Sequence, residues 1–188
     1  MAFSMTVLPT VRIALYCILC IFSLVLLGLS AARIHYTENL SPDDPLNGGQ
    51  DFYDPVVAEL LATSIIVTLW SMFAVHAIYM RCDRLVIHTF GVECIALSMI
   101  WMMWLIGTAI ATTFWGNLGW CHQYSACRLL SALVAIAWIG WVVLLALLGV
   151  TLAHTFANRA WVDPMHGYFY PRDSFVPAQE SEYRQSRI

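Results

Sequence analysis

The chain has 188 residues, of which 60% are hydrophobic and 11% charged, with a formal net charge of −3. An average soluble domain carries roughly 25% charged residues, so a water-soluble fold could not hide this much apolar surface. The nine cationic residues are all arginine and form no dense patch suited to nucleic acid.

Charged residues are absent from Ile13 to Ala32, Leu60 to Met80, Cys94 to Cys127 and Leu129 to Asn158. Each run reaches the roughly 20 residues needed to cross a hydrocarbon core about 30 Å thick. Inside hydrocarbon the backbone must satisfy its own hydrogen bonds, and continuous apolar runs do not fit the alternation of barrel strands. The pattern therefore predicts an all-α integral membrane four-helix bundle, with helices at about 10–33, 57–80, 86–114 and 128–156. Residues 1–9 form a short N-terminus, 10–156 the membrane domain and 157–188 a C-terminal tail.

The first helix could be mistaken for a signal peptide, because Gly28-Leu29-Ser30-Ala31-Ala32 resembles a cleavage site. Its apolar stretch exceeds the roughly 7 to 15 residues of a signal core, so the helix is expected to be retained. Cys17 and Cys20 give it a C-x-x-C spacing. Deep in an apolar helix, these thiols read as spectators, not as a redox pair. The loop from Arg33 to Pro55 carries Glu38, Asp43, Asp44, Asp51 and Asp54 among turn formers such as Asn47-Gly48-Gly49. These acids lack the ligand spacing of an EF-hand, and a solvated loop is expected.

In the second helix, Glu59 falls in the first turn, where the helix dipole favours a hydrated anion. The connection Arg81-Cys82-Asp83-Arg84 is short enough to make the second and third helices an antiparallel hairpin, and Cys82 beside it could carry a palmitoyl group. Reflecting depth through Asp83 sets His76 opposite about residue 91, less than one turn from Glu93. Glu93 is the one acid well inside a helix, where a charge must face the bundle and find a partner. His76 is the expected partner, ahead of Arg84 and His88, and the same pair would serve a proton relay.

The loop from Trp115 to Cys127 leads into the fourth helix, and Cys121 and Cys127 are candidates for a disulfide that fixes this turn on an oxidising side. Haem ligation would need histidines at matched depth, and only His76 lies well inside a helix. After the fourth helix come Trp161, Pro164 and Tyr168-Phe169-Tyr170-Pro171, aromatic residues suited to the headgroup level or to docking.

Membrane helices associate through close contact between small residues and through scattered hydrogen bonds. Small residues four apart occur at Gly28 and Ala32, Ala58 and Ala62, Gly107 and Ala111, and Ser131 and Ala135, one pair per helix. Basic residues near helix ends concentrate on the cytoplasmic side. Arg12, Arg81, Arg84, Arg159, Arg172, Arg184 and Arg187 fall on one side and Arg33 and Arg128 on the other, so both termini are expected in the cytoplasm. There is no glycine-rich phosphate loop, nucleophile elbow or helical H-E-x-x-H, so no catalytic, cofactor-binding or metal residue is expected.

Several stretches carry a resemblance: Leu29-Ser30-Ala31-Ala32-Arg33-Ile34-His35-Tyr36, Phe52-Tyr53-Asp54-Pro55-Val56-Val57-Ala58-Glu59-Leu60, and Cys127-Arg128-Leu129-Leu130 through Ala137-Trp138-Ile139-Gly140-Trp141. With four helices and a cysteine-bearing second exterior loop, the chain resembles small fungal MARVEL-domain proteins over about residues 8 to 156. Trp115 to Cys127 also resembles the claudin loop signature, but that belongs to a first exterior loop and this is the second. The MARVEL resemblance implies a non-enzymatic tetraspan in the plasma or secretory-pathway membranes. It would organise the bilayer or sort vesicle cargo, with lipid, other membrane proteins or a second copy as partners. The alternative is a small transporter or channel subunit using Glu93 and His76.

Overall fold

The computed structural model describes residues 7–42, 46–80, 89–116 and 124–165. The Arg81–Arg84 connection, Cys121 and the Tyr168–Pro171 aromatics lie outside the described residues. Four helices dominate: α1 (Val7–Thr37), α2 (Pro55–Tyr79), α3 (Phe90–Trp115) and α4 (Ser125–Asn158). The shortest, α2 with 25 residues, is about 37 Å long at 1.5 Å per residue, enough to cross a core about 30 Å thick. All four are long and apolar enough to span a membrane. Among the described residues there is no strand, only an isolated bridge between Thr89 and Pro164.

The helix starts follow local chemistry. Helix α2 begins at Pro55, whose fixed φ suits the first helical position, with Asp54 extended at the N-cap. Thr89 is extended at the N-cap of α3, so that helix starts at Phe90, later than expected from hydropathy alone. Helix α1 starts at Val7, earlier than expected, which sets Arg12 in its second turn. Between α1 and α2, a 3-10 turn spans Leu46–Gly49, with Asn47, Gly48 and Gly49 all at positive φ. Gly49 cannot be replaced there without collision, because a Cβ would lie 2.6 Å from the Pro42 carbonyl oxygen. The loop is tied back to α1 by Phe52 N–H donating to Thr37 O at 3.0 Å. Burial pushes the Asp54 carboxyl above its usual range, against the opposing pull of Arg33.

The helices pack as a ring, α1 on α2 and α4, and α3 on α4 and α2. Leu19, Leu26, Leu60, Leu97, Trp104, Leu133, Leu144 and Leu147 fill the core. The outward faces are also apolar, with Ile21, Leu69, Met72, Ile95, Met102 and Val142 exposed. A helix apolar all round belongs in a large core or a membrane. The polar side chains gather inside instead: Arg12, Ser23, Ser30, Arg33, Ser64, Ser71, Glu93, Thr108, Thr151 and Thr155 are buried. Most of the hydroxyls return to their own helix, as Thr151 does to Leu147 O at 2.9 Å and Thr155 to Thr151 O at 2.8 Å. A few bond across helices, including Ser23 to Thr68 at 2.9 Å and Trp138 Nε1 to Thr112 Oγ1 at 2.9 Å.

The small residues divide unevenly. Gly107 and Ala111 face the interior, and a Cβ on Gly107 would overlap the Glu59 carboxylate. A Cβ on Gly28 would meet no other helix within 4 Å, and Ala32, Ala62 and Ala135 are exposed, while Ala58 and Ser131 are half-buried. The expected packing role is thus corrected for Gly28, Ala32, Ala62 and Ala135, which point away from the neighbouring helices. Gly140, outside the expected pairs, makes a further close approach. A Cβ there would lie 2.5 Å from Cζ2 of Trp104, whose Nε1 donates to Ala137 O at 2.9 Å.

Candidate functional site

Glu93 sits in the first turn of α3, fully buried, where the helix dipole favours an anion. Its Oε2 accepts from Arg12 Nη2 in a buried ion pair, and its Oε1 accepts from the Tyr16 hydroxyl at 2.6 Å. Arg12 and Tyr16 lie one turn apart on α1, so both reach the same carboxylate. The Arg12 guanidinium carbon also lies 4.6 Å from the centre of the Phe90 ring, and Arg12 Nη1 donates to Met165 O at 2.5 Å. Two oxygens and two guanidinium arms are therefore engaged in a cluster that joins α1, α3 and the segment after α4.

That segment is an ordered strap. Arg159 ends α4 in the left-handed region with φ of 52°, turning the chain sharply. Ala160 N–H then returns to Thr155 O at 3.0 Å. The opening amides of a helix have no partner within it. Here Phe90 N–H donates to Asp163 O at 3.0 Å and Gly91 N–H to Trp161 O at 2.9 Å, so the strap caps α3 with its own carbonyls. Met165 follows, 1% exposed, against Arg12. The start of the tail is thus part of the bundle, beyond the aromatic anchoring expected of it.

Gly91 permits this approach, since a Cβ would lie 2.7 Å from the Trp161 carbonyl oxygen. Gly91→Ala is expected to shift the strap's docking by about one to two kcal/mol, a roughly five- to thirtyfold change in its open population. Labelling of a Met165→Cys variant with a maleimide measures this. Unchanged labelling after Gly91→Ala would show that the strap is held elsewhere.

His76 is exposed on α2, so the expected pairing with Glu93 is corrected: Arg12 and Tyr16 hold the carboxylate. Equal depth in the hairpin does not fix rotation about the helix axis, which turns His76 outward and Glu93 inward. The charge-free run begins after Arg12, which makes it resemble a flanking arginine in the sequence. The signal for its true place is spacing. Arg12, Tyr16, Leu19, Ser23, Leu26, Ser30, Arg33 and Thr37 recur every three or four residues, and all are buried on one face of α1. In a membrane bundle, a polar stripe at that period marks the inside.

Glu59 is half-buried, with Oε1 accepting from Thr63 at 2.9 Å and Oε2 lodged at Gly107 without a hydrogen-bond partner. It is less wet than its place in the first turn suggested. Cys17, Cys20 and Cys94 are free. Cys127 lies in the first turn of α4 and is not without a partner. Cys121, its expected disulfide partner, lies outside the described residues. Among the described residues no group of His, Cys, Asp and Glu could hold a metal ion.

Comparison with known proteins gives no match to a family model, a curated protein or a solved structure.

Proposed function

We propose that this chain is a non-enzymatic tetraspan that organises membrane or accompanies vesicle cargo in the plasma or secretory-pathway membranes, without a cofactor. The observation that carries this reading is the commitment of the buried acid. Both oxygens of Glu93 are engaged by Arg12 and Tyr16, and Arg12 is in turn bonded to the strap. A carboxylate held in this way is suited to locking helices together. A transport path lined by Glu93 and His76 would need the acid to release its partners, and His76 is on the outer face.

In this reading the helices run antiparallel in an up-down order with both termini cytoplasmic. Burial of Arg12 removes it from the flanking charges, yet Arg81, Arg84, Arg159, Arg172, Arg184 and Arg187 still outnumber Arg33 and Arg128. A Cys121–Cys127 bond would pin the second exterior turn. The resemblance to MARVEL-domain proteins supports the same assignment, with lipid and other membrane proteins or a second copy as partners.

Two measurements test it together. A tagged copy crosslinked in its native membrane should retain membrane proteins, and the purified chain in liposomes should pass protons no faster than empty vesicles. A proton flux that wild type sustains and Glu93→Gln abolishes would favour the transporter instead.

A further inference from the structure

Far along α1 from the Glu93 cluster, a cavity of about 100 Å³ opens between the end of α1 and the start of α4. Arg33, Tyr36, Ala126 and Leu129 line it. Arg33 is only 4% exposed, yet its Nε and Nη1 have no hydrogen-bond partner. Its guanidinium carbon lies 5.8 Å from the Tyr36 ring centre and 5.9 Å from that of Phe52, so aromatic rings flank the fork while these two nitrogens stay unbonded. Asp54 acts on Arg33 through space but leaves both nitrogens unbonded. Buried guanidinium donors without acceptors are costly, and a folded protein normally supplies an acceptor.

The wall facing Arg33 adds a second preference for negative charge. Helix α4 starts here with Tyr124 at its N-cap, without a side-chain cap and without an acid in its first turn. The positive end of its dipole is therefore not neutralised by its own side chains. We propose that this cavity binds the phosphate of a phospholipid headgroup. Arg33 would present its fork to the phosphate oxygens, a geometry guanidinium groups match well. Ala126 and Leu129 would receive the glycerol and first acyl carbons, which a free phosphate ion would leave unmatched. The site's place at one end of a membrane-spanning helix puts it at headgroup depth.

The test uses the full chain in detergent and native mass spectrometry, with phosphatidylglycerol and with dioleoylglycerol, which lacks the phosphate. Wild type should retain the phospholipid and not the diacylglycerol. Arg33→Gln should lower retention about tenfold, the loss expected for a charge-assisted hydrogen bond. Leu129→Trp fills the cavity while keeping the arginine, and should lower retention similarly, which settles the matter if Arg33→Gln does not fold. Equal retention of both lipids, or full retention by Leu129→Trp, would overturn the proposal. Thermal stabilisation by sodium phosphate over chloride at equal ionic strength, lost in Arg33→Gln and without phospholipid retention, would assign the site to free phosphate and overturn the lipid.

Discussion

Replacing Arg12 with methionine is expected to cost about 3–5 kcal/mol, because it leaves the Glu93 carboxylate buried with only Tyr16 to solvate it. The loss should greatly exceed that of the hydrogen bonds alone, which contribute roughly 0.5–1.5 kcal/mol each. What decides the size is desolvation, since a charge in the bundle interior has no water to return to. The double variant Arg12→Met with Glu93→Gln removes both charges and keeps an amide for Tyr16. It should recover most of the stability, because a buried ion pair replaced as a unit is often close to neutral. Arg12 also carries the bond to Met165 O, so recovery should stop short of wild type by about one hydrogen bond. Thermal melting followed by size exclusion in detergent reads all three proteins. Equal losses in single and double variants would mean that the charges are not what binds the helices.

Gly140→Ala should destabilise the bundle by about 1–3 kcal/mol, the usual cost of overpacking a well-filled core. The new Cβ would sit 2.5 Å from Trp104 Cζ2. The ring cannot swing aside freely, because its Nε1 is bonded to Ala137 O at 2.9 Å on the same helix as the glycine. Gly28→Ala and Gly149→Ala make the controls, since neither would bring a Cβ within 4 Å of anything. By helix propensity they should be neutral or stabilise by up to about 1 kcal/mol. If all three substitutions behave alike in the same melting assay, close contact at Gly140 is not what positions α3 against α4.

The four helices were legible because composition and charge gaps of membrane length leave few alternatives. Ends were less legible, since hydropathy does not see that Thr89 is extended or that α1 can begin at Val7. Glu93 could be singled out because an acid inside an apolar helix stands apart from its surroundings. Its partner could not be found by matching depth, which has one coordinate where a bundle has two. The period of the polar residues on α1 supplies the second coordinate and picks out Arg12. Spacing of four alone was a poor guide to packing, as Gly28 and Gly140 demonstrate from opposite sides. The strap was hidden for another reason: its hydrogen bonds to α3 are made by backbone carbonyls, which every sequence possesses.

The Arg12 cluster also sets an order on biosynthesis. Arg12 leaves the ribosome 81 residues before Glu93 and 153 before Met165. Until α3 arrives, a newly inserted α1 must keep its arginine at the headgroup level, where a long side chain can reach water. The Arg12–Glu93 pair can close only once α3 has been translated, and the bond to Met165 only after α4 is complete. The first helix made is therefore among the last to be fully housed, and a chain stopped short of Met165 presents the membrane's quality control with an unfinished arginine site.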